Sequence, residues 1–265
     1  MHAHTVYCDG KNTVEEMVLS AIDAGCKTFG FSDHAPRPDK LWWCMSDEDM
    51  PKYIRDVKEC AKKYADKIEV VLGIEFDSHS VIDISEFEYV IGSVHAIKKG
   101  GELYDVDCEE RVMLDIVNNI YGGDQFAYVR DYYDEVCRLP EKVKCDIVGH
   151  FDLVTKYNEG CKYFDVSDER YRKMALESLD VLLEKDYIFE INTGAISRGY
   201  RTEPYPADFI LRRMVEKGAK IMLNSDSHAK EAVVFHFEQS LEYARACGVK
   251  SLYVWKDGKF IETGI

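Results

Sequence analysis

Six of the chain's eight histidines fall in short motifs: His2-Ala3-His4, Ser32-Asp33-His34, Gly92-Ser93-Val94-His95, Gly149-His150-Phe151-Asp152 and Asp226-Ser227-His228. A further motif, Leu72-Gly73-Ile74-Glu75, carries an acid in the equivalent place. Imidazoles and carboxylates are the donors that many divalent cations take. Side chains two residues apart in an extended strand point to the same side, so His2 and His4 can clasp one ion. Asp226 and His228 repeat that spacing. Glu75 ends an apolar run, where an acid is costly to bury unless it is paired or metal-bound, and its two oxygens suit a bridge between cations. A lone histidine at a strand end is more often a hydrogen-bonded structural residue. Six in the same topological place point instead to one multinuclear centre. Several divalent cations on one face suit hydrolysis of phosphate esters, because they lower the pKa of bound water, neutralise phosphate charge and stabilise both the attacking and the departing oxygen.

The elements that must position these residues alternate along the chain. Apolar, β-branched-rich runs at Lys27–Asp33, Glu69–Glu75, Tyr89–His95, Asp146–His150, Tyr187–Asn192, Ala219–Asp226 and Ser251–Trp255 read as buried parallel strands. A very short first strand includes or precedes His2–His4. Helical patterns lie between them: Val14–Ala24 capped by Asn12 or Thr13, a stretch from Ser46 to about Ala65, one from Ser167 to about Lys185, one from Pro206 to about Gly218, and one from Lys230 or Glu231 to about Gly248. The segment Lys98–Lys144 is expected to hold one or two helices. This alternation predicts an α/β fold with a parallel sheet. A doubly wound open sheet feeds its ligand from a few strands at one switch point, whereas polar residues here recur at nearly every strand's C-terminal end. A closed barrel is the better fit, with seven clear strands plus the short first one, in a single domain spanning residues 1–265.

Composition narrows the partners. The 265 residues are 46% hydrophobic and 31% charged, ordinary for a globular protein that builds a large core. No apolar run reaches transmembrane length and no basic-then-apolar leader opens the chain, so the expectation is a cytoplasmic protein with no membrane partner. The nine cysteines are odd in number and lack CxxC spacing, which reads as free thiols; Cys8, inside the first motif, is read as structural. A formal net charge of −15 opposes a nucleic-acid surface. It suits cation binding and a small substrate, with positive charge supplied locally.

The series His2-Ala3-His4-Thr5 with Asp9-Gly10, Ser32-Asp33-His34, Gly73-Ile74-Glu75, Ser93-Val94-His95, Gly149-His150 and Asn224-Ser225-Asp226-Ser227-His228 resembles the motif set of the polymerase and histidinol phosphatase (PHP) family. The resemblance spans essentially the whole chain. It is strongest to the stand-alone histidinol-phosphate phosphatases, through Tyr89–His95, Gly149–Leu153, and Asn192-Thr193-Gly194 leading to Arg198 and Tyr205-Pro206. It implies a distorted (β/α)7 TIM-like barrel with a trinuclear site of zinc, manganese or iron. Carried over by motif, His2, His4, Glu75 and Asp226 hold one metal; Glu75, His95 and His150 a second, with Glu75 bridging; Asp9, His34 and His228 the third. Asp9 is a departure, since the family varies in residue and offset there. Another is the start, because relatives usually have several residues before the paired histidines.

The implied reaction is hydrolysis of L-histidinol phosphate to L-histidinol and phosphate, in histidine biosynthesis, by water activated at the cations. Glu75, Asp226, His228 and Arg198 form the expected catalytic set. Arg198 is also the expected phosphate ligand, because its forked donors match phosphate oxygens. Arg37 and Lys156, just after motifs, are expected to add positive charge. Trp42 and Trp43 are expected to wall the pocket, to stack on an imidazole or to pack against the neighbouring helix, and Asp33 to orient His34 or a ligand water. Two rival readings are a phosphoesterase of the same scaffold acting on nucleotides or phosphotyrosine, and a non-catalytic metal-binding module. The latter is disfavoured because every motif position holds a competent donor.

Overall fold

The computed structural model describes all residues, 1–265. In chain order the first elements are α1 (Val14–Asp23), β1 (Thr28–Phe31), α2 (Met50–Lys63), β2 (Glu69–Asp77), β3 (Tyr89–Ser93), β4 (Ala96–Lys99) and β5 (Glu102–Asp105). They are followed by α3 (Glu110–Ile120), α4 (Gln125–Lys142), β6 (Ile147–Val148), α5 (Glu169–Leu182), β7 (Ile188–Asn192) and α6 (Gly194–Ser197). Last come α7 (Asp208–Glu216), β8 (Lys220–Asn224), α8 (Phe237–Ala246), β9 (Ser251–Lys256) and β10 (Lys259–Gly264).

Six strands form one curled parallel sheet in the order β1-β2-β3-β6-β7-β8. The N-terminal residues bridge its two edges. Ala3 pairs in parallel with Ser227 beyond β8, His4 N–H donates to Ser227 O at 2.9 Å, and on the other side Ser32 N–H donates to Ala3 O at 2.9 Å. The short first strand is therefore the seventh stave of a distorted barrel.

Period-two alternation explains both the core and the site. On the outward row of β2, Val70, Leu72, Ile74 and Phe76 pack into the main hydrophobic core. The inward row begins at Val71 and joins Tyr89, Ile91, Ile147, Ile188, Met222 and Trp255 in a second, smaller cluster that fills the barrel. Gly73 lies on that row because a Cβ there would sit 2.2 Å from the Tyr89 ring. Two residues further along, the same inward row reaches Glu75. A strand that packs apolar side chains low in the barrel thus presents donors at its C-terminal tip.

Helix α1 starts as the spacing predicts: Thr13 and Glu16 form a reciprocal capping box. Three expectations need correction. Ser251–Trp255 is not a barrel strand; β9 pairs antiparallel with β10 and buries only Leu252 and Trp255, and Trp255 closes the barrel's lower end while its indole donates to Glu69 at 2.9 Å. Lys98–Lys144 holds two helices but opens with the antiparallel pair β4–β5. The last helix does not begin at Lys230 or Glu231: residues Lys230–Ala232 make a single 3-10 turn, and His236, at φ 62°, separates it from α8. All nine cysteines are free, and no helix is long and apolar enough to cross a membrane.

Candidate metal centre and active-site cleft

All nine expected ligands converge at one end of the barrel. Their donor atoms form overlapping groups in which every atom lies within 4.8 Å of the others: His4, Asp9, His34 and His228; His2, Glu75 and His150; His2, His4 and Asp226; His34, Glu75 and His95. Glu75 occupies the middle. Its Oε2 lies 2.8 Å from His34 Nδ1, 3.3 Å from His2 Nε2 and 3.6 Å from His4 Nε2, while Oε1 lies 2.9 Å from His150 Nε2 and 3.4 Å from His95 Nε2. Asp226 Oδ1 is 3.2 Å from His4 Nε2, and Asp9 Oδ1 is 3.2 Å from His228 Nε2.

The donor set fits divalent cations. His2 Nε2, His4 Nε2, Asp9 Oδ1 and Glu75 Oε2 are buried yet make no well-formed hydrogen bond within the chain, despite lying so close together. Two donors each about 2.1 Å from a shared cation stand about 3.0–3.4 Å apart, close to these spacings. Buried polar atoms aimed at a common point rather than at each other are what such an ion satisfies.

The electrostatics are those of dense mutual compensation. Burial alone pushes the Glu75 carboxyl up, but His2, His34 and His95 outweigh it and hold it well below the usual range. Burial and the neighbouring His228 and His34 push His4 down to about 3. His95 resists burial because Glu75 and Asp77 raise it to about 10.

Local structure aims the donors. Asp226 adopts a left-handed backbone, φ 47°, which Asp tolerates better than most residues and which turns the chain just past β8. Gly194 makes room for it, since a Cβ there would meet Asp226 Oδ2 at 2.5 Å. Asp77 accepts from His95 N–H at 2.9 Å and lies 3.1 Å from His95 Nδ1. Glu190 contacts His2 Nδ1 at 2.9 and 3.1 Å. Neither acid was singled out in the sequence, although Glu190 stands between Phe189 and Ile191 in an otherwise apolar strand, the signal that marked Glu75. Asp33 makes no hydrogen bond to His34: it accepts from Thr5 N–H at 2.6 Å and from the Cys8 thiol at 2.8 Å, fixing the turn after His4.

Beside the cluster lies a cleft of about 640 Å³ lined by Asp9, His34, His228, Arg198 and Lys156, with Trp42, Trp43, Tyr157 and Tyr200 among its walls. Arg198 sits at the junction of the two. Its guanidinium donates to Asp226 O at 3.1 Å and Asp226 Oδ2 at 3.2 Å and lies 2.8 Å from His228 Nδ1. Lys156 donates to Asp107 at 2.6 Å above the Tyr200 ring. Trp43 sets its ring edge-on to His34 and His95, at 4.8 and 5.4 Å, whereas Trp42 stands on the rim, 84% exposed.

Arg37 requires a correction. Its buried guanidinium donates to Asp39 and Asp105 and lies 3.7 Å from Asp77, so three carboxylates hold it behind Trp43 and outside the cleft lining. His79 and His236 lie apart from the cluster, beside Glu135 and Ser240 respectively. A larger cavity of about 780 Å³ at the barrel's opposite end, near Lys27, Glu69 and Trp255, contains none of the nine donors.

A parallel barrel whose strand tips gather nine metal donors beside an arginine and a lysine has the make-up of a metal-dependent hydrolase. The sequence model of the PHP domain matches residues 1–194, and the chain belongs to that family. A Deinococcus radiodurans protein named "Probable histidinol-phosphatase" is 30% identical over 95% of this chain and 94% of its own length. One of the same name from Schizosaccharomyces pombe is 24% identical over 97% and 89%. In fold, the chain is similar to histidinol phosphate phosphatase from Lactococcus lactis, crystallised with zinc, L-histidinol and phosphate. The TM-score is 0.69 at 20% identity, covering 98% of this chain and 97% of that one.

Proposed function

We propose that the chain is a metal-dependent histidinol-phosphatase, hydrolysing L-histidinol phosphate to L-histidinol and phosphate in histidine biosynthesis. The observation that carries this reading is the position of Arg198 between the Asp226–His228 donors and the open cleft. Two to three divalent cations, zinc, manganese or iron, held by His2, His4, Asp9, His34, Glu75, His95, His150, Asp226 and His228, would acidify water and screen phosphoryl charge.

The chain's own residues do the rest. Arg198, whose charge is secured by Asp226 against burial, offers forked donors to the phosphoryl oxygens. Lys156 supplies a second cation across the cleft, and Trp43 shields the imidazoles of His34 and His95 from water on one side. Asp105, Asp107 and Glu109 also line the cleft. Asp105 is paired with Arg37 and Asp107 with Lys156, which leaves Glu109 to meet an ammonium group at the ester's other end, a feature that histidinol phosphate carries and the rival nucleotides lack. Residues 1–265 are read as one catalytic unit, because β7, β8 and the loops after them bring Arg198, Asp226 and His228 to the same cluster as His2.

Phosphate release by metal-loaded protein tests this reading, comparing L-histidinol phosphate with mononucleotides, phosphotyrosine and an aryl phosphate. A strong preference for L-histidinol phosphate is expected. Faster turnover of another ester would keep the phosphoesterase and discard the substrate, and no turnover of any ester would favour the non-catalytic module.

A further inference from the structure

Glu190 is as deeply buried as Glu75 and stands on the inward row of β7, yet its surroundings are opposite. Glu75 accepts from Ser93 Oγ at 2.6 Å through Oε1 but leaves Oε2 without a well-formed hydrogen bond, whereas both Glu190 oxygens are saturated. Oε1 accepts from His150 N–H at 2.7 Å and Asn192 Nδ2 at 2.7 Å; Oε2 accepts from Asn224 Nδ2 at 2.8 Å; both lie within 3.1 Å of His2 Nδ1. A carboxylate so surrounded has no lone pair left for a cation. It holds Nδ1 of His2 as the protonated nitrogen and leaves Nε2, itself without a hydrogen-bond partner, facing Glu75 and Asp226.

The same group ties four segments together. His2 belongs to the N-terminal stave, His150 follows β6, Asn192 ends β7, and Asn224 ends β8. Asn224 also accepts from the Met1 α-amine at 3.1 Å. The N-terminal stave has only a few backbone bonds to its neighbours, so a side-chain anchor at its second residue matters more than it would in a long strand.

We propose that Glu190 is the positioning residue of the metal centre, setting the tautomer and direction of His2 and thereby its affinity for a cation. Outer-shell carboxylates of this kind typically change metal affinity 10- to 100-fold when removed. In Glu190→Gln the new amide must face one set of existing donors, either Asn192 and the His150 amide or Asn224 and His2, so the network is not restored by matching shape. The inference rests on reading the cluster as a metal centre and not on the identity of the substrate.

The test is zinc affinity of the full chain, measured by competition with a chromophoric chelator, for wild type, Glu190→Gln and Leu179→Ala. Leu179 is buried in α5 and belongs to none of the donor groups, so its variant controls for loss of stability alone. Glu190→Gln is expected to bind its tightest zinc about 10- to 100-fold more weakly, with turnover recovered by excess zinc, while Leu179→Ala keeps wild-type affinity. Equal affinity in wild type and Glu190→Gln would overturn the role of Glu190 alone; a wild type that binds neither zinc nor manganese nor iron would remove the centre with it. Should Glu190→Gln not fold, the His2 tautomer in zinc-loaded wild type decides by nitrogen-detected NMR. A proton on Nδ1 supports the proposal, and a proton on Nε2 overturns it.

Discussion

The two halves of the donor cluster are built differently. The inner half, His2, Glu75, His95 and His150, is almost wholly enclosed, and two of its imidazoles have a carboxylate on the far nitrogen, Glu190 for His2 and Asp77 for His95. The outer half, Asp9, His34 and His228, lines the cleft; the Asp9 and His228 side chains are 22% and 15% exposed, and His4 and Asp226 stand between the two halves. There the far nitrogen of His228 meets the Asp226 carbonyl and the Arg198 guanidinium. Strand framework and buried acids preorganise the first half. The second is set by loops and by the residue that would meet the substrate. An inner ion held by fixed groups should be structural in its persistence, and an outer ion exchangeable and close to the chemistry.

The largest effect is expected at the point the halves share. Glu75→Gln removes the charge between the two groups, and turnover should vanish together with bound metal; retention of both would break the comparison at its centre. Arg198→Ala should act on the outer half alone, raising KM for the phosphate ester roughly 10- to 100-fold, the worth of charged hydrogen bonds, with metal content intact. An unchanged KM would remove Arg198 from the substrate site. Arg37→Ala sharpens the contrast from the other side. It should cost about 3 kcal/mol in stability, because Asp77 and Asp105 lose their buried partner, and leave KM unaltered. A KM effect without loss of stability would restore Arg37 to the cleft.

A smaller effect concerns protons. Glu75 and Asp77 raise His95 to about 10, so this imidazole carries its proton at pH 8, and a cation must displace it. Binding should release protons and weaken as pH falls. Calorimetric heats that do not vary with buffer ionisation enthalpy would contradict this for the inner half.

Much of the site was legible because its chemistry follows a simple period. Apolar runs that close on a His or an acid can be picked out without knowing which strands are neighbours. Glu190 escaped because the apolar run was read on past it to Asn192, although β2 likewise continues past Glu75 to Asp77, and its partners His2, His150 and Asn224 come from elements up to 188 residues away. Arg37 shows the converse. Its place after a motif suggested the substrate, but Asp105, 68 residues on, captured its charge together with Asp39 and Asp77. The β4–β5 pair was missed because its strands are four residues each around Gly100-Gly101, too short to show a period. The β9 run was misplaced because an apolar sequence whose strand buries only Leu252 and Trp255 was read as a continuously buried one.

Stepwise chelation of metal-loaded protein, following bound metal and phosphate release from L-histidinol phosphate together, tests the two-part centre most directly. The expected result is early loss of one ion with most of the activity, the remaining metal staying bound until far stronger chelation, and Asp9→Asn reproducing the first stage. Loss of all metal in one step, or full turnover in metal-free protein, would contradict it.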